Sequence, residues 1–417
     1  MSNISCILYP PTLDIDYLVQ RPQQLMKSFA ELGITAIYMN KPTPFKKLNR
    51  GIKQINPNFY LFDNVDPRLY LKNVRPVVFY SAAAQVDLIK QYRPSLVVFD
   101  SLDEPSDEFA AWRPFYNKAI VTADVVLATS DKLFHTARNL NPHTYLIPNG
   151  SDYEYFSQGS RRDLPIPADM DGIRKPIIGY IGVVATWCDL ELIDKIARNF
   201  PECNLVMIGP LYNVSKVPRR PNIHWLGFKP YDQLVFYAQM FDVGIIPFLV
   251  SSMTESVNPI KMWEYLAVGM PIVSTAIPET LKYGDLVYYS RNHHEFLHNM
   301  ALALEDNSQE KRIQRNALAR ENSWKARAEQ ILQIIATRLG VEEFAPINPS
   351  FLSDIYSYET QELNHLRIPY TWSLSPFSQL TISGREPFRW SARYNSINTE
   401  SNDQLPYGRK INARKAR

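Results

Sequence analysis

Residues 258–275 read NPIKMWEYLAVGMPIVST, and this stretch predicts a helix that leads directly into a strand. Asn258 is a good N-cap residue, and Pro259 suits the first helical position. Gly269 accepts the positive φ that ends a helix, so about three turns are predicted before the β-rich run PIVST begins. A helix joined in this way to an apolar strand is typical of an α/β fold.

Lys261 occupies the first turn of this helix, where the helix dipole disfavours a cation by roughly 0.3 to 1 kcal/mol. A bound anion would offset that cost, because backbone N–H groups, the dipole and the ammonium would all act on one phosphate. Glu264 follows on the same face among apolar neighbours, where a carboxylate can accept hydrogen bonds from the two hydroxyls of a ribose. The alternative is an ordinary i,i+3 surface ion pair between the two side chains.

Short runs rich in Val, Ile and Tyr alternate with helix-period segments along the chain, which predicts βα units on parallel sheets. The first series of predicted strands covers residues 4–9, 35–39, 59–62, 77–80, 96–99, 124–128 and 144–147. The second series covers residues 176–182, 204–209, 223–227, 243–248, 271–275 and 286–289. We therefore predict two α/β domains of similar size, with one helical run from about 308 to 339 closing the second.

The domain boundaries follow from changes in composition. We assign residues 1–150 to the first domain, 151–175 to a linker rich in turn residues, and 176–344 to the second domain. From 345 to 417 neither structural period is sustained, which predicts an irregular tail wrapped on the body.

Composition excludes several classes of protein. The 417 residues hold 45 Lys and Arg against 42 Asp and Glu, and the surplus of three lies in residues 345–417, so a nucleic-acid surface is disfavoured. No apolar run is long enough to span a membrane, and the start shows no secretion signal, so we expect a cytoplasmic protein. The Cys and His residues show no metal-ligand spacing, and the three cysteines are expected to be reduced.

Gly182 ends the run GYIG at residues 179–182, directly after a predicted strand. Val183 and Val184 stand where a dinucleotide-binding loop would continue with further glycines, which argues against nicotinamide binding. Gly182 is expected to serve either a tight turn or the close approach of a ligand at the carboxyl end of the strand.

Carboxylates cluster after the predicted strand at 96–99, with Asp100 at its end and Asp103 shortly beyond. Clustered like charges raise a pKa towards the range of a general base, and we choose Asp103 first and Asp100 second for that role. Helix capping and plain solvation are the alternatives. Arg21, at a predicted helix start, is expected either to contact an anion or to play a structural role.

Residues 258–275, with FDVGIIPF at 241–248 before them, resemble the donor-binding region of GT-B-fold glycosyltransferases. The resemblance is to group 1 enzymes of teichuronic-acid and other bacterial envelope-polysaccharide synthesis. Five further stretches agree with it: RPQQLMKSFAELG (21–33), FDSLDEPSDEF (99–109), ADVVLATSDKL (123–133), IPNGSDYEYF (147–156) and PNIHWLGFKPYDQL (221–234).

The resemblance implies two Rossmann-like domains facing across a cleft, with a nucleotide diphosphate-sugar held mainly by the second domain and the acceptor by the first. Glu264 would then bind the ribose and Lys261 would lie near the diphosphate, with no cofactor and no metal. Many retaining members carry a glutamate eight positions before the ribose carboxylate. Here that position is Ser256, so either the adjacent Glu255 substitutes for it or the sugar is bound differently.

The expected function is transfer of a sugar to an acceptor hydroxyl in envelope or surface polysaccharide synthesis. A sugar-nucleotide epimerase on the same fold and a catalytically degenerate coat or scaffold protein remain as alternatives. The stretch 41–53 combines five cations with apolar side chains, and could rest on the anionic inner face of a membrane near a lipid-linked or glycan acceptor. A solvated surface loop is the alternative for that stretch.

Overall fold

The computed structural model describes residues 6–43, 46, 49–71 and 74–341, and the predicted tail at 345–417 lies outside this part. The described strands form two sheets, one of eight strands and one of six. Helices connect successive parallel strands in both sheets. The predicted α/β class with two parallel-sheet domains is therefore confirmed.

The first sheet has the strand order β3-β4-β2-β1-β5-β6-β7-β8, and all neighbours are parallel except β3 and β4. Its strands are β1 (Ile7–Tyr9), β2 (Ala36–Asn40), β3 (Gly51–Asn56), β4 (Phe59–Asp63), β5 (Val77–Tyr80), β6 (Leu96–Ser101), β7 (Val125–Ala128) and β8 (Thr144–Leu146). The sequence analysis missed β3, which pairs with β4 at the sheet edge and is half exposed, so its apolar pattern is weak.

The second sheet is parallel throughout, with the order β11-β10-β9-β12-β13-β14. Its strands are β9 (Ile177–Ile181), β10 (Asn204–Ile208), β11 (Ile223–Gly227), β12 (Val243–Ile246), β13 (Ile272–Thr275) and β14 (Tyr288–Ser290). All six lie at or within two residues of the predicted runs, because strands covered on both faces are almost continuously apolar.

The helices pack on the faces of these sheets. They are α1 (Arg21–Glu31), α2 (Arg68–Leu71), α3 (Arg113–Thr122), α4 (Asp131–Arg138), α5 (Tyr153–Phe156), α6 (Leu190–Asn199), α7 (Leu234–Ala238), α8 (Ile260–Val268), α9 (Pro278–Leu281), α10 (His293–Glu305), α11 (Gln309–Glu321) and α12 (Trp324–Leu339). Gly269, the predicted helix stop, adopts a φ of 84°, and Gly33 after α1 adopts a φ of 86°.

The predicted linker at 151–175 packs on the second sheet, where Phe156 and Met170 are buried in the core. Residues of α5 and short 3₁₀ turns account for its irregular pattern. The domain boundaries drawn from the sequence stay a prediction.

The long helical run predicted for 308–339 is broken into α11 and α12. Ser323 is the N-cap of α12, and its hydroxyl accepts a hydrogen bond from the Ala326 N–H at 3.2 Å. The apolar side of α12, including Ile331, is buried in the core of the first sheet beside α1. The prediction that the whole run closes the second domain is therefore wrong, since its last part covers the first.

Ile331 is fully buried, and Ile331→Ala would leave a cavity under the first sheet. We expect the free energy of unfolding to fall by about 2–5 kcal/mol. The matched control is Ile313→Ala on α11, because Ile313 is 59% exposed and its truncation should cost less than about 0.5 kcal/mol. Equal losses for the two variants in chemical denaturation would contradict the packing of α12.

Candidate functional site

The N-terminal turn of α8 lies at the carboxyl edge of the second sheet, because α8 follows β12 and precedes β13. Open α/β sheets bind ligands outside this edge. Gly182 stands there at the end of β9 with a φ of 142°. A Cβ atom placed on Gly182 would lie 3.0 Å from Lys261 Cε and 3.3 Å from Lys261 Nζ. The first turn of α8 therefore meets the end of β9, and the missing side chain keeps the space beside the ammonium open.

Lys261 Nζ is held by two aromatic rings, at 5.2 Å from the Tyr180 centroid and 4.6 Å from the Phe248 centroid. Ring faces attract cations at such distances but supply no negative charge. Among the residues that the structure describes, Lys261 has neither an ion pair nor a hydrogen bond. Burial lowers the pKa of this ammonium. The arrangement holds a cation that an incoming anion would stabilise.

Glu264 lies one turn further along α8 and is 5% exposed. Its carboxylate makes no hydrogen bond and no salt bridge within the described ranges. Burial raises the pKa of Glu264 to about 7, the charge of Asp152 adds to the rise, and the charge of Lys261 opposes it. The surface ion pair left open by the sequence is therefore wrong, because Glu264 is buried and no salt bridge joins its carboxylate to the partly buried Lys261.

The sequence predicted that Asn258 caps α8, but its side chain does not do so. The residue preceding the helix is Pro259, and no side chain caps this end. Asn258 Oδ1 accepts from Trp263 Nε1 at 2.8 Å, and Asn258 Nδ2 donates to Glu279 at 3.1 Å. Its backbone carbonyl accepts from Asn149 Nδ2 at 2.6 Å. Asn258 thus ties the start of α8 to its surroundings with polar atoms that are already engaged.

Ser256 and Glu255 lie in a 3₁₀ turn, Thr254–Ser256, before α8. Ser256 is fully buried and its hydroxyl donates to the Met253 carbonyl at 2.7 Å. The Glu255 carboxylate lies 3.4 Å from the Lys132 ammonium of the first domain. Among the described residues, no contact joins the side chain of Ser256 or Glu255 to Lys261.

Arg21 and Asp100 form a buried ion pair at the carboxyl edge of the first sheet, with side-chain exposures of 1% and 0%. Two guanidinium nitrogens donate to the two carboxylate oxygens at 2.8 and 2.9 Å, and a third donates to the Pro148 carbonyl at 3.0 Å. Burial raises the pKa of Asp100 while the guanidinium opposes the rise. Of the two roles left open for Arg21, this geometry supplies the structural one.

Asp103 lies two residues beyond β6 and differs from Asp100 in having no partner. Its carboxylate makes neither a hydrogen bond nor an ion pair to the described part of the chain. Burial raises the pKa of Asp103 to about 7, with a smaller contribution from the charge of Asp100. Burial is thus the greater cause of the raised pKa of Asp103, and the predicted clustering of charge is the lesser cause.

The other carboxylates of this cluster join the two domains. Glu104 binds the Lys132 ammonium at 2.6 Å and accepts from the Ser252 hydroxyl at 3.1 Å. Asp107 accepts from the Ser251 hydroxyl at 3.1 Å, and Glu108 accepts from Thr186 at 2.7 Å. The gap between the sheets is therefore bridged by direct polar contacts next to Asp103.

Residues 174–320 match the family model described as glycosyl transferases group 1. The second domain of this chain is therefore similar to group 1 glycosyltransferase domains. The chain is also similar to the putative teichuronic acid biosynthesis glycosyltransferase TuaH of Bacillus subtilis, with 29% identity over 233 residues. That alignment covers 52% of this chain and 57% of the relative, so it spans little more than half the length of either protein.

Solved structures share the fold. Sucrose-phosphate synthase from Thermosynechococcus elongatus superposes with a TM-score of 0.60 and 16% identity, covering 80% of this chain and 98% of that one. HepE of Anabaena in complex with UDP and glucose superposes with a TM-score of 0.58 and 15% identity, covering 80% of this chain and 100% of that one. These likenesses confirm the GT-B fold. Neither the epimerase nor the scaffold alternative gains support from them.

The structure brings to this site residues that the sequence analysis missed. Tyr180 and Phe248 hold Lys261 between their rings, and Asn149 fixes the backbone of Asn258. A polar residue within IPNG and aromatic residues within or shortly after a strand carry no pattern that marks such roles. The sequence analysis gave Lys132 no role, although its ammonium binds Glu104 within the first domain at 2.6 Å and lies 3.4 Å from Glu255 of the second domain.

The described residues contain neither a candidate metal site nor a candidate membrane span. No group of three or more His, Cys, Asp or Glu side chains is arranged to hold a metal ion. None of the helices in this part combines the length and apolarity needed to cross a bilayer.

The Arg21–Asp100 pair of the first domain can be tested by Asp100→Asn. Removing the charge of Asp100 leaves the buried guanidinium of Arg21 without a counter-ion, so we expect a loss of about 3–5 kcal/mol in the free energy of unfolding. Asp16→Asn is the control, because the side chain of Asp16 is 80% exposed. If denaturant titration found the two variants equally stable, the pair would not support the fold as described.

Proposed function

We propose that the chain is a glycosyltransferase that moves a sugar from a nucleotide diphosphate-sugar to an acceptor hydroxyl in envelope or surface polysaccharide synthesis. The observation that carries the proposal is the ammonium of Lys261, which lies at the start of α8 beside Gly182 with no anion of its own. A diphosphate would supply the missing negative charge. The name of the Bacillus subtilis relative supports the choice of polysaccharide synthesis.

The donor would lie along the carboxyl edge of the second sheet. Its diphosphate would contact Lys261 and the first N–H groups of α8 beside the bare backbone of Gly182. Glu264, one turn away and without a partner in the described chain, would accept hydrogen bonds from the ribose hydroxyls. In this proposal the departing diphosphate is stabilised by the ammonium and the helix terminus. No divalent metal and no cofactor are required.

The acceptor would enter from the first domain, where Asp103 would take the proton from the attacking hydroxyl. Asp100 is excluded from that task in the proposal, because both its oxygens are engaged by Arg21. The polar contacts between the domains would exclude water from the reacting atoms. Glu255 could touch the donor sugar only if its ion pair with Lys132 opened, so binding of the sugar itself is left to other groups.

We further propose a cytoplasmic enzyme that touches the inner face of the membrane to reach a lipid-linked or glycan acceptor. The stretch 41–53 supplies the positive charge for this contact. Lys53 is exposed, whereas Lys46 is already paired with Asp14 at 2.6 Å. Phe45, Lys47 and Leu48 lie outside the described residues.

Donor binding can be tested with Glu264→Gln, which keeps the shape and removes the charge. We expect affinity for the cognate nucleotide diphosphate to fall by roughly 10- to 150-fold, because hydrogen bonds to a charged group contribute about 1.5–3 kcal/mol. Calorimetry with uridine, guanosine, thymidine and cytidine diphosphates, with and without EDTA, makes the measurement. Lys261→Ala should weaken the same nucleotide.

Glu329→Gln is the matched control for donor binding, since Glu329 is exposed on α12. It should bind like the wild type. Unchanged affinity in both Glu264→Gln and Lys261→Ala would remove the basis of the proposal.

The role of Asp103 can be tested by Asp103→Asn, which removes the only step assigned to that carboxylate. We expect kcat to fall by about 10²- to 10⁴-fold while nucleotide affinity stays unchanged. In the wild type a base must be deprotonated to act, so kcat/KM should decline as the pH falls through about 7, the value to which burial raises the pKa of Asp103. A variant that kept its kcat, or lost nucleotide binding in parallel, would contradict this assignment.

A further inference from the structure

A separate cavity of about 520 Å³ opens at the opposite edge of the second sheet. Its lining includes Pro176, Asp242 and Pro271, each of which directly precedes a strand. The cavity therefore lies at the amino ends of the strands, whereas Lys261 and Glu264 lie at their carboxyl ends. Nothing in the proposed donor site makes use of it.

The lining of this cavity carries an excess of positive charge. Four cations, Arg162, Lys175, Arg312 and Arg315, face two carboxylates, Asp242 and Asp306. The net charge of the lining is thus two positive. Such an excess of like charge is unfavourable, and a bound anion would relieve the repulsion.

The two carboxylates are already engaged by three of the cations. Asp242 Oδ1 accepts from Arg162 at 3.1 Å and from Lys175 at 2.8 Å. Asp306 binds Arg315 at 2.5 Å, and both side chains are at most 4% exposed. These pairs fix the shape of the wall and leave no carboxylate for the fourth cation.

Arg312 is that fourth cation. Within the described ranges its guanidinium makes neither an ion pair nor a hydrogen bond. Its stem is held in place, since a Cβ atom on Gly269 would lie 2.8 Å from Arg312 Cγ. Partial burial and the charge of Arg162 lower the pKa of Arg312, which reflects an environment short of negative charge.

The polar part of the lining adds hydrogen-bond donors. Asn307, Ser308 and Gln309 line the cavity where α11 begins, so the positive end of that helix adds to the field of the arginines. The volume falls in the range of about 300–1,000 Å³ that is usual for small-molecule sites. A small, polar and doubly negative ligand matches the size, the lining and the charge.

We propose that this cavity binds a phosphate-bearing small molecule through Arg312. A phosphate dianion would balance the two excess charges, and the planar guanidinium can donate two parallel hydrogen bonds to phosphate oxygens. Free phosphate and the phosphate group of an ester share this chemistry. The site is independent of the donor site at the other edge of the sheet.

The test uses the full chain carrying Lys261→Ala, so that phosphate binding at the proposed donor site is weakened. Line broadening of the ³¹P signal of inorganic phosphate, titrated in a phosphate-free buffer, should reveal a remaining site. Arg312→Gln added to this background should weaken binding by about tenfold or more. Absence of binding in the Lys261→Ala protein, or equal binding with Gln at position 312, would overturn the proposal.

Two further variants control for folding and for net charge. Arg312→Lys keeps the positive charge and should retain most of the binding, although it loses the paired donors. Lys325→Gln, on an exposed position of α12 outside the cavity, should bind phosphate as its parent does. If Lys325→Gln weakened binding as much as Arg312→Gln, the binding would reflect the net charge of the protein, and the proposed site would be contradicted.

Glycerol 3-phosphate and inorganic phosphate distinguish the two sources of the ligand. Tighter binding of the ester would identify a phosphomonoester as the occupant, and equal binding would identify free phosphate. Failure of the Glu264→Gln experiment would leave this result untouched, because the measurement does not involve a nucleotide.

Discussion

The arrangement of the second domain depends on a partly buried cation that has no counter-ion among the described residues. Moving an ammonium out of water costs several kcal/mol unless nearby charges or dipoles compensate. Two aromatic rings reduce that cost for Lys261, while the positive end of α8 increases it. The surrounding chain must therefore hold the ammonium in place. Asn258 anchors the start of α8 through its side chain and its backbone, and Gly269 ends the helix in the left-handed conformation.

The part of this arrangement that depends on local chemistry could be predicted from the sequence. The end of α8, the following strand and the placement of Lys261 and Glu264 on one helix face all follow from residues within one short segment. The interpretation of Asn258 failed because its partners, Asn149 and Glu279, lie 109 and 21 positions away. The edge strand β3 was missed for another reason, since a half-exposed strand has little apolar periodicity to detect.

Asp100 and Asp103 illustrate what spacing alone does not decide. They are three residues apart, Asp100 is fully buried and Asp103 partly buried, and both carry a raised pKa. Only one meets a guanidinium, and that group comes from a helix 79 positions earlier. A pattern of acidic residues can therefore locate an acidic region of a cleft, while the fold decides which carboxylate becomes a structural anchor and which one keeps its oxygens unengaged.

The return of α12 to the first sheet has a consequence for how such proteins recombine. The chain crosses between the domains twice, at residues near Ser151 and near Ser323, where the two strands of chain also pair with each other. A chimaera that joined the first half of this protein to the second half of a relative would place a foreign helix against α1 and its neighbours. Exchange of donor domains is expected to preserve the fold only when the transplanted segment begins after the first crossing and ends before the second, leaving α12 with its native sheet.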